Sequence, residues 1–170
     1  MAICIRRAER EDIDSLLELT LKECPRLSPQ EAESHVRTEL SRSFAKGQYF
    51  ILERDGVNLG YTLIAQDERE DAYLNLKEFY LPLAEGGELL RELILDSEFS
   101  YRNTYTKVIG IQPNGILTRI KNPSEAREKR LQSIGYQYFT TVGEQEIWRK
   151  LFTTAAADIS LNPEKWRGKA

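Results

Sequence analysis

Residues 72–95 read AYLNLKEFYLPLAEGGELLRELIL. The order is a strand, a proline stop at Pro82, a Gly-Gly pair and then a helix. A strand that ends where a helix begins brings free backbone N–H groups and a helix dipole beside one ligand-binding point. The rest of the chain has to be arranged around that junction.

The chain has 170 residues, the size of one domain with a substantial core. Residues 1–152 are expected to form that domain and residues 153–170 a C-terminal tail, in which Trp166 is a candidate for docking on the body. No apolar run approaches the roughly 18 residues that span a bilayer. MAICIRRAERED at the N-terminus carries no signal-peptide h-region. The expectation is therefore a cytoplasmic protein with no membrane contact. Cys4 and Cys24 form no metal-ligand or CxxC spacing and read as reduced thiols. One histidine, His35, excludes a His-rich metal site, and no GxSxG elbow accompanies it. His35 reads as structural or partly exposed, beside a helical seam. Charge is uneven: residues 1–100 carry −9 and residues 101–170 carry +6. Such asymmetry marks either solvated faces or an anion-binding half. The basic residues are dispersed and lack interleaved aromatics, which argues against nucleic acid.

Ile3–Arg7 alternates as a strand. Glu9, Glu11 and Asp12 suit a helix start, and Ile13, Leu16, Leu17 and Leu21 fall on one helical face, ending near Cys24-Pro25. Ser28-Pro29-Gln30-Glu31 is a capping box with proline at the first helical position. Ala32, Val36, Leu40 and Phe44 extend that helix as an apolar seam, with Gly47 as the stop. Residues 49–54 and 58–66 form a hairpin through Asp55-Gly56. Residues 72–81 form the next strand, 87–99 a helix and 107–112 (KVIGIQ) a further strand. Asn122-Pro123 opens another helix, which Gly135 closes. Residues 136–142 and 146–152 make a last antiparallel pair. The order β-α-α-β-β-β-α-β-α-β-β predicts an α/β (α+β) fold with a mixed, mostly antiparallel sheet of about seven strands and helices on both faces.

This order, together with LKEFYLPLAEGGELLRELI and NPSEAREKRLQSIGYQYF, resembles the GNAT superfamily of N-acetyltransferases over residues 3–152. The LKEFYLPLAEGGELLRELI stretch is similar to the family's central strand, phosphate loop and helix. The NPSEAREKRLQSIGYQYF stretch is similar to its later helix, ending at Gly135-Tyr136. The resemblance implies acetyl-CoA or another acyl-CoA as cosubstrate. Phe79, Tyr80, Leu81 and Leu83 would run along the pantetheine, and Gly86, Gly87 and Glu88 would meet the pyrophosphate. It implies direct attack of a primary amine on the thioester, helped mainly by positioning and oxyanion stabilisation. Glu78 is the candidate base; alternation puts it on the face of Leu74, Leu76 and Tyr80. Tyr136 is the second candidate catalytic residue. The acceptor would be a small-molecule amine or a protein lysine or N-terminus, and dimers through late strands are frequent in the superfamily.

Two departures are visible. Only Leu83-Ala84-Glu85-Gly86-Gly87-Glu88 separates Pro82 from the helix, and Glu85 and Glu88 would repel a pyrophosphate unless they point away. Four residues before Gly135, where many members carry the tyrosine that protonates the leaving thiolate, stands Leu131. Two readings follow: an acyltransferase, or a catalytically impaired GNAT-like domain that senses an acyl-CoA or binds a protein.

Overall fold

Period-two alternation at Ile3–Arg7 does produce a strand, β1, and the computed structural model, which describes residues 2–69 and 72–152, places it at one edge of the only sheet among them. Helices α1 (Ile13–Glu23) and α2 (Pro29–Ser41) follow. Next come β2 (Gln48–Arg54), β3 (Val57–Gln66) and β4 (Tyr73–Tyr80). The long helix α3 (Gly87–Ile109) leads to β5 (Gly115–Ile120), α4 (Glu125–Ile134), β6 (Gln137–Val142) and β7 (Gln145–Leu151). The sheet order is β1-β2-β3-β4-β5-β7-β6, and only β4 and β5 pair in parallel. Residues 153–170, including Trp166, lie outside the described residues.

Local chemistry accounts for most boundaries. Ser28 accepts from the Glu31 amide while the Glu31 carboxylate accepts from the Ser28 amide, so the capping box is closed in both directions. Asp55 (φ 52°) and Gly56 (φ 82°) take the left-handed pair of conformations that a two-residue hairpin turn needs.

Four expectations are corrected. The buried face of α1 is Leu16, Leu19 and Thr20, with Leu17 and Leu21 only half-buried. α2 ends at Ser41, and Phe44 belongs to a separate 3-10 turn, Phe44–Lys46. Ser124, whose hydroxyl accepts from the Arg127 amide, caps α4 in place of Asn122. Residues 107–109 of the expected strand are the last turn of α3, which closes on Gly110 at φ 81°; the strand begins at Gly115. The helix runs on because Leu90, Leu93, Ile94, Ser97, Glu98, Tyr101 and Tyr105 keep one buried seam going at helical spacing.

α1 and α2 cover one face of the sheet, packing Leu16, Leu19 and Val36 on Tyr49, Ile51, Tyr61 and Leu63. α3 and α4 cover the other, where Leu90, Ile94, Tyr101, Leu131 and Ile134 meet Phe50, Ile64, Leu74, Leu76 and Phe79. β4 carries a bulge: Leu63 pairs with Glu78 but Ile64 pairs with Leu76, so Lys77 has no counterpart on β3. One extra residue reverses the facing of everything after it. Leu76 and Phe79 therefore both join the α3/α4 core, while Glu78 is turned to the α1/α2 side.

Candidate functional site

The site begins where the two parallel strands part. β4 and β5 are paired only at Tyr73–Gly115, Leu74–Ile116 and Asn75–Leu117. The Thr118 hydroxyl adds one bond to the Leu76 carbonyl at 2.9 Å. Beyond it β4 continues to Tyr80 held by β3, and β5 continues to Ile120 held by β7. Each arm of the opening is thus fixed by its outer neighbour, and the inner edges from Lys77 to Tyr80 have no ladder partner on β5.

At the end of the β4 arm, Leu81, Pro82, Leu83, Gly86, Gly87 and Leu90 line a pocket of about 220 Å³, with Arg130 of α4 as the basic member of its wall. Pro82 ends the strand and Leu83–Glu85 make a single 3-10 turn. Gly86 then takes φ 84°, a conformation that suits glycine, and no side chain caps the first turn of α3. Glu85 is drawn out of the loop: Arg54 holds it in a fork at 2.6 and 2.9 Å. Glu88 is exposed on the first turn of α3 and lines no part of this pocket. Four of the residues expected to meet the cosubstrate, Leu81, Leu83, Gly86 and Gly87, are thus brought together. Phe79 and Tyr80 stand on opposite faces of the arm leading to them. Phe79 is buried with the Arg127 guanidinium 5.7 Å from its ring centre.

Glu78 lies on the face opposite the one expected from simple alternation, for the bulge turns it away from Leu74 and Leu76. There the buried Tyr61 hydroxyl donates to Glu78 Oε1 at 2.9 Å, and His35 Nε2 of α2 sits 2.5 Å from Oε2. The carboxylate is engaged at both oxygens. The hydrogen bond to Glu78 raises the His35 pKa above its ordinary 6.5, against the opposing pull of burial. Burial pushes the phenols of Tyr61 and Tyr49 up, so both stay protonated. The Tyr49 hydroxyl, buried beside Tyr61, has no hydrogen-bond partner among the described residues. Nearby, Lys77 lies 3.2 Å from Glu39, which neutralises a carboxylate that is only 5% exposed. At the end of α1, Glu23 reaches Arg127 of α4 at 3.6 Å, linking the helix layers of the two faces. Burial raises the Glu23 pKa and Arg127 works against that rise.

Tyr136 is not part of this constellation. Its ring is 1% exposed, and its hydroxyl donates to Glu98 Oε1 at 2.9 Å inside the α3 core. Lys150 Nζ sits 2.5 Å from the other oxygen of Glu98. Burial and the Glu98 charge push the phenol up, so it is a poor acid where it stands. Leu131 is wholly buried in the same core. His35, Tyr61, Arg127 and Arg130 are the residues to which sequence reasoning assigns no part in the site. His35 lies one turn from Glu39 on α2, and Arg127 and Arg130 fall at i, i+3 on α4, which are the only local signals they give. Among the described residues, no group of three or more His, Cys, Asp or Glu is placed to hold a metal ion, and no helix is long and apolar enough to cross a membrane.

The parted parallel strands inside this element order decide the fold. The chain has the GNAT fold. It superposes on the PaiA N-acetyltransferase of Thermoplasma acidophilum, bound to coenzyme A, with a TM-score of 0.65 at 19% identity, covering 89% of this chain and 100% of that one. An acetyltransferase of the GNAT family from Streptococcus pneumoniae gives 0.57 at 16% identity over 89% and 100%. A spermidine N-acetyltransferase, a SpeG chimera from Vibrio cholerae and hSSAT, gives 0.62 at 14% identity over 89% and 96%. No protein-family model matches the chain, and no curated protein matches it in sequence.

Proposed function

We propose that the protein is an acyl-CoA-dependent N-acyltransferase that acylates a primary amine, with acetyl-CoA or another acyl-CoA as cosubstrate. The observation that carries this reading is the opening between β4 and β5, with the Gly86-Gly87 pocket at its end and the Glu78–His35 pair on its α1/α2 side. Pantetheine amides would pair with the unladdered backbone of Phe79, Tyr80 and Leu81. The pyrophosphate would meet the first amides of α3 at Gly87 and Glu88, beside Leu83, Gly86 and Arg130. The donor set suits an anion: the α3 N-terminus has no side-chain cap, and Arg54 withdraws the nearer carboxylate, Glu85. When bound, the acyl-CoA supplies an activated carbonyl. The chain's own residues orient the acceptor nitrogen, keep water from the thioester and accept a proton on the Glu78–His35 pair. The solved neighbour that acetylates spermidine supports a small cationic amine as the acceptor class; a protein lysine or N-terminus presents the same group.

A second reading is a catalytically impaired domain that senses an acyl-CoA or binds a protein. Leu131 favours it, since an apolar side chain there supplies no proton to a leaving thiolate. Calorimetric titration with acetyl-CoA, followed by an assay of thiol release against a panel of amines, separates the two. The acyltransferase reading predicts saturable one-site binding and amine-dependent thiol release. Binding without release supports the sensor, and no binding at millimolar ligand contradicts both acyl-CoA readings.

A further inference from the structure

Each oxygen of Glu78 is already engaged by one neighbouring side chain. Tyr61, wholly buried, donates to one oxygen, and His35 Nε2 stands at 2.5 Å from the other. The imidazole that caps this carboxylate is 35% exposed at its side chain, against 22% for Glu78. With Nε2–H committed to Glu78, the neutral ring leaves Nδ1 as its proton acceptor, and Nδ1 has no partner among the described residues. A carboxylate that fixes the tautomer of a histidine is the arrangement by which imidazole serves as a base in many unrelated enzymes.

We propose that His35 is the proton acceptor of the reaction, with Glu78 as its orienting carboxylate and Tyr61 as the anchor of Glu78. This assignment rests on the acyltransferase reading and deepens it. The acceptor arrives as an ammonium ion and gives one proton to His35 Nδ1. Its nitrogen then forms the C–N bond as the C–S bond breaks, and the second proton leaves on the thiolate to give the free thiol. The groups facing His35 are Glu78 and Lys77 on β4, Glu39 on its own helix, Tyr61 on β3 and, beyond Glu78, Glu23 on α1. Carboxylates outnumber ammonium groups around it, which suits a cationic acceptor.

His35 is the only histidine in the chain, so its titration can be read from a single imidazole resonance. As a base it works only when neutral. Activity should therefore rise with pH through its folded pKa, which lies above 6.5. His35→Gln should lower kcat by roughly 100-fold or more, abolish that rising limb and leave the acetyl-CoA Kd unchanged. Glu78→Gln removes the charge that holds the proton on the ring. The imidazole resonance should then titrate at lower pH, and the remaining activity limb should move with it. Spermidine, a lysine-containing peptide and an aminoglycoside serve as acceptors. His35→Gln within about threefold of wild type on the same pH limb, or an imidazole titration unmoved by Glu78→Gln, overturns the assignment while leaving the acyltransferase reading intact. A wild-type protein that binds no acetyl-CoA, or binds it and acylates none of these amines, overturns both.

Discussion

Tyr136 and His35 sit in surroundings opposite to those their positions in the chain suggest. Tyr136 follows the glycine that ends α4, yet it points into the α3 layer, where its hydroxyl donates to one oxygen of Glu98 while Lys150 pairs with the other. Removing that hydroxyl leaves a carboxylate that is only 4% exposed with one fewer donor. Tyr136→Phe should therefore cost about 1–3 kcal/mol of stability and leave acyl transfer per folded molecule unchanged, as measured by denaturant unfolding beside the thiol-release assay. A fall in kcat without a fall in stability would return Tyr136 to the site. In the chain, His35 shows only as a polar neighbour of the Val36 seam. Its partner lies 43 positions away, and nothing local encodes that meeting.

Elements are more legible than the contacts between them. The capping box at Ser28, the Asp55-Gly56 turn and the Gly135 stop are local chemistry, and each forms where the residues demand it. Residues 107–112 mislead because Val108, Ile109 and Ile111 imitate a strand, while Tyr101 and Tyr105 carry the seam that keeps the helix going. The bulge at Lys77 is not legible at all, because it is a property of register between β3 and β4. It nevertheless decides which side of the sheet Glu78 serves. The close approach of the same two strands depends on Gly60: a Cβ there would lie 2.5 Å from the Tyr80 carbonyl and 2.8 Å from Leu81 Cδ1. Gly60→Ala should cost about 1–3 kcal/mol by overpacking and weaken acetyl-CoA binding by displacing the β4 end. An unchanged melting temperature and Kd would show that the arm tolerates the shift.

At the scale of the whole molecule, the charge asymmetry between the two parts of the chain is partly neutralised inside the fold. Arg119 pairs with Asp67, Arg127 with Glu23 and Lys150 with Glu98, each a cation of the later part on a carboxylate of the earlier one. Arg130 remains at the Gly86-Gly87 pocket. The fold class is legible because element order and one strand-loop-helix junction suffice for it. The site is half legible, since the loop is contiguous in the chain and the Glu78–His35–Tyr61 set is not. Acyl transfer by this chain requires an acyl-CoA in the opening between β4 and β5. Amide chemical-shift mapping during titration with acetyl-CoA tests that occupancy most directly. Saturable shifts should concentrate at Phe79, Tyr80, Leu81, Gly86, Gly87 and Glu88. Shifts confined to other surfaces, such as the pocket between Lys46 and Lys77, or none at millimolar ligand, would contradict it.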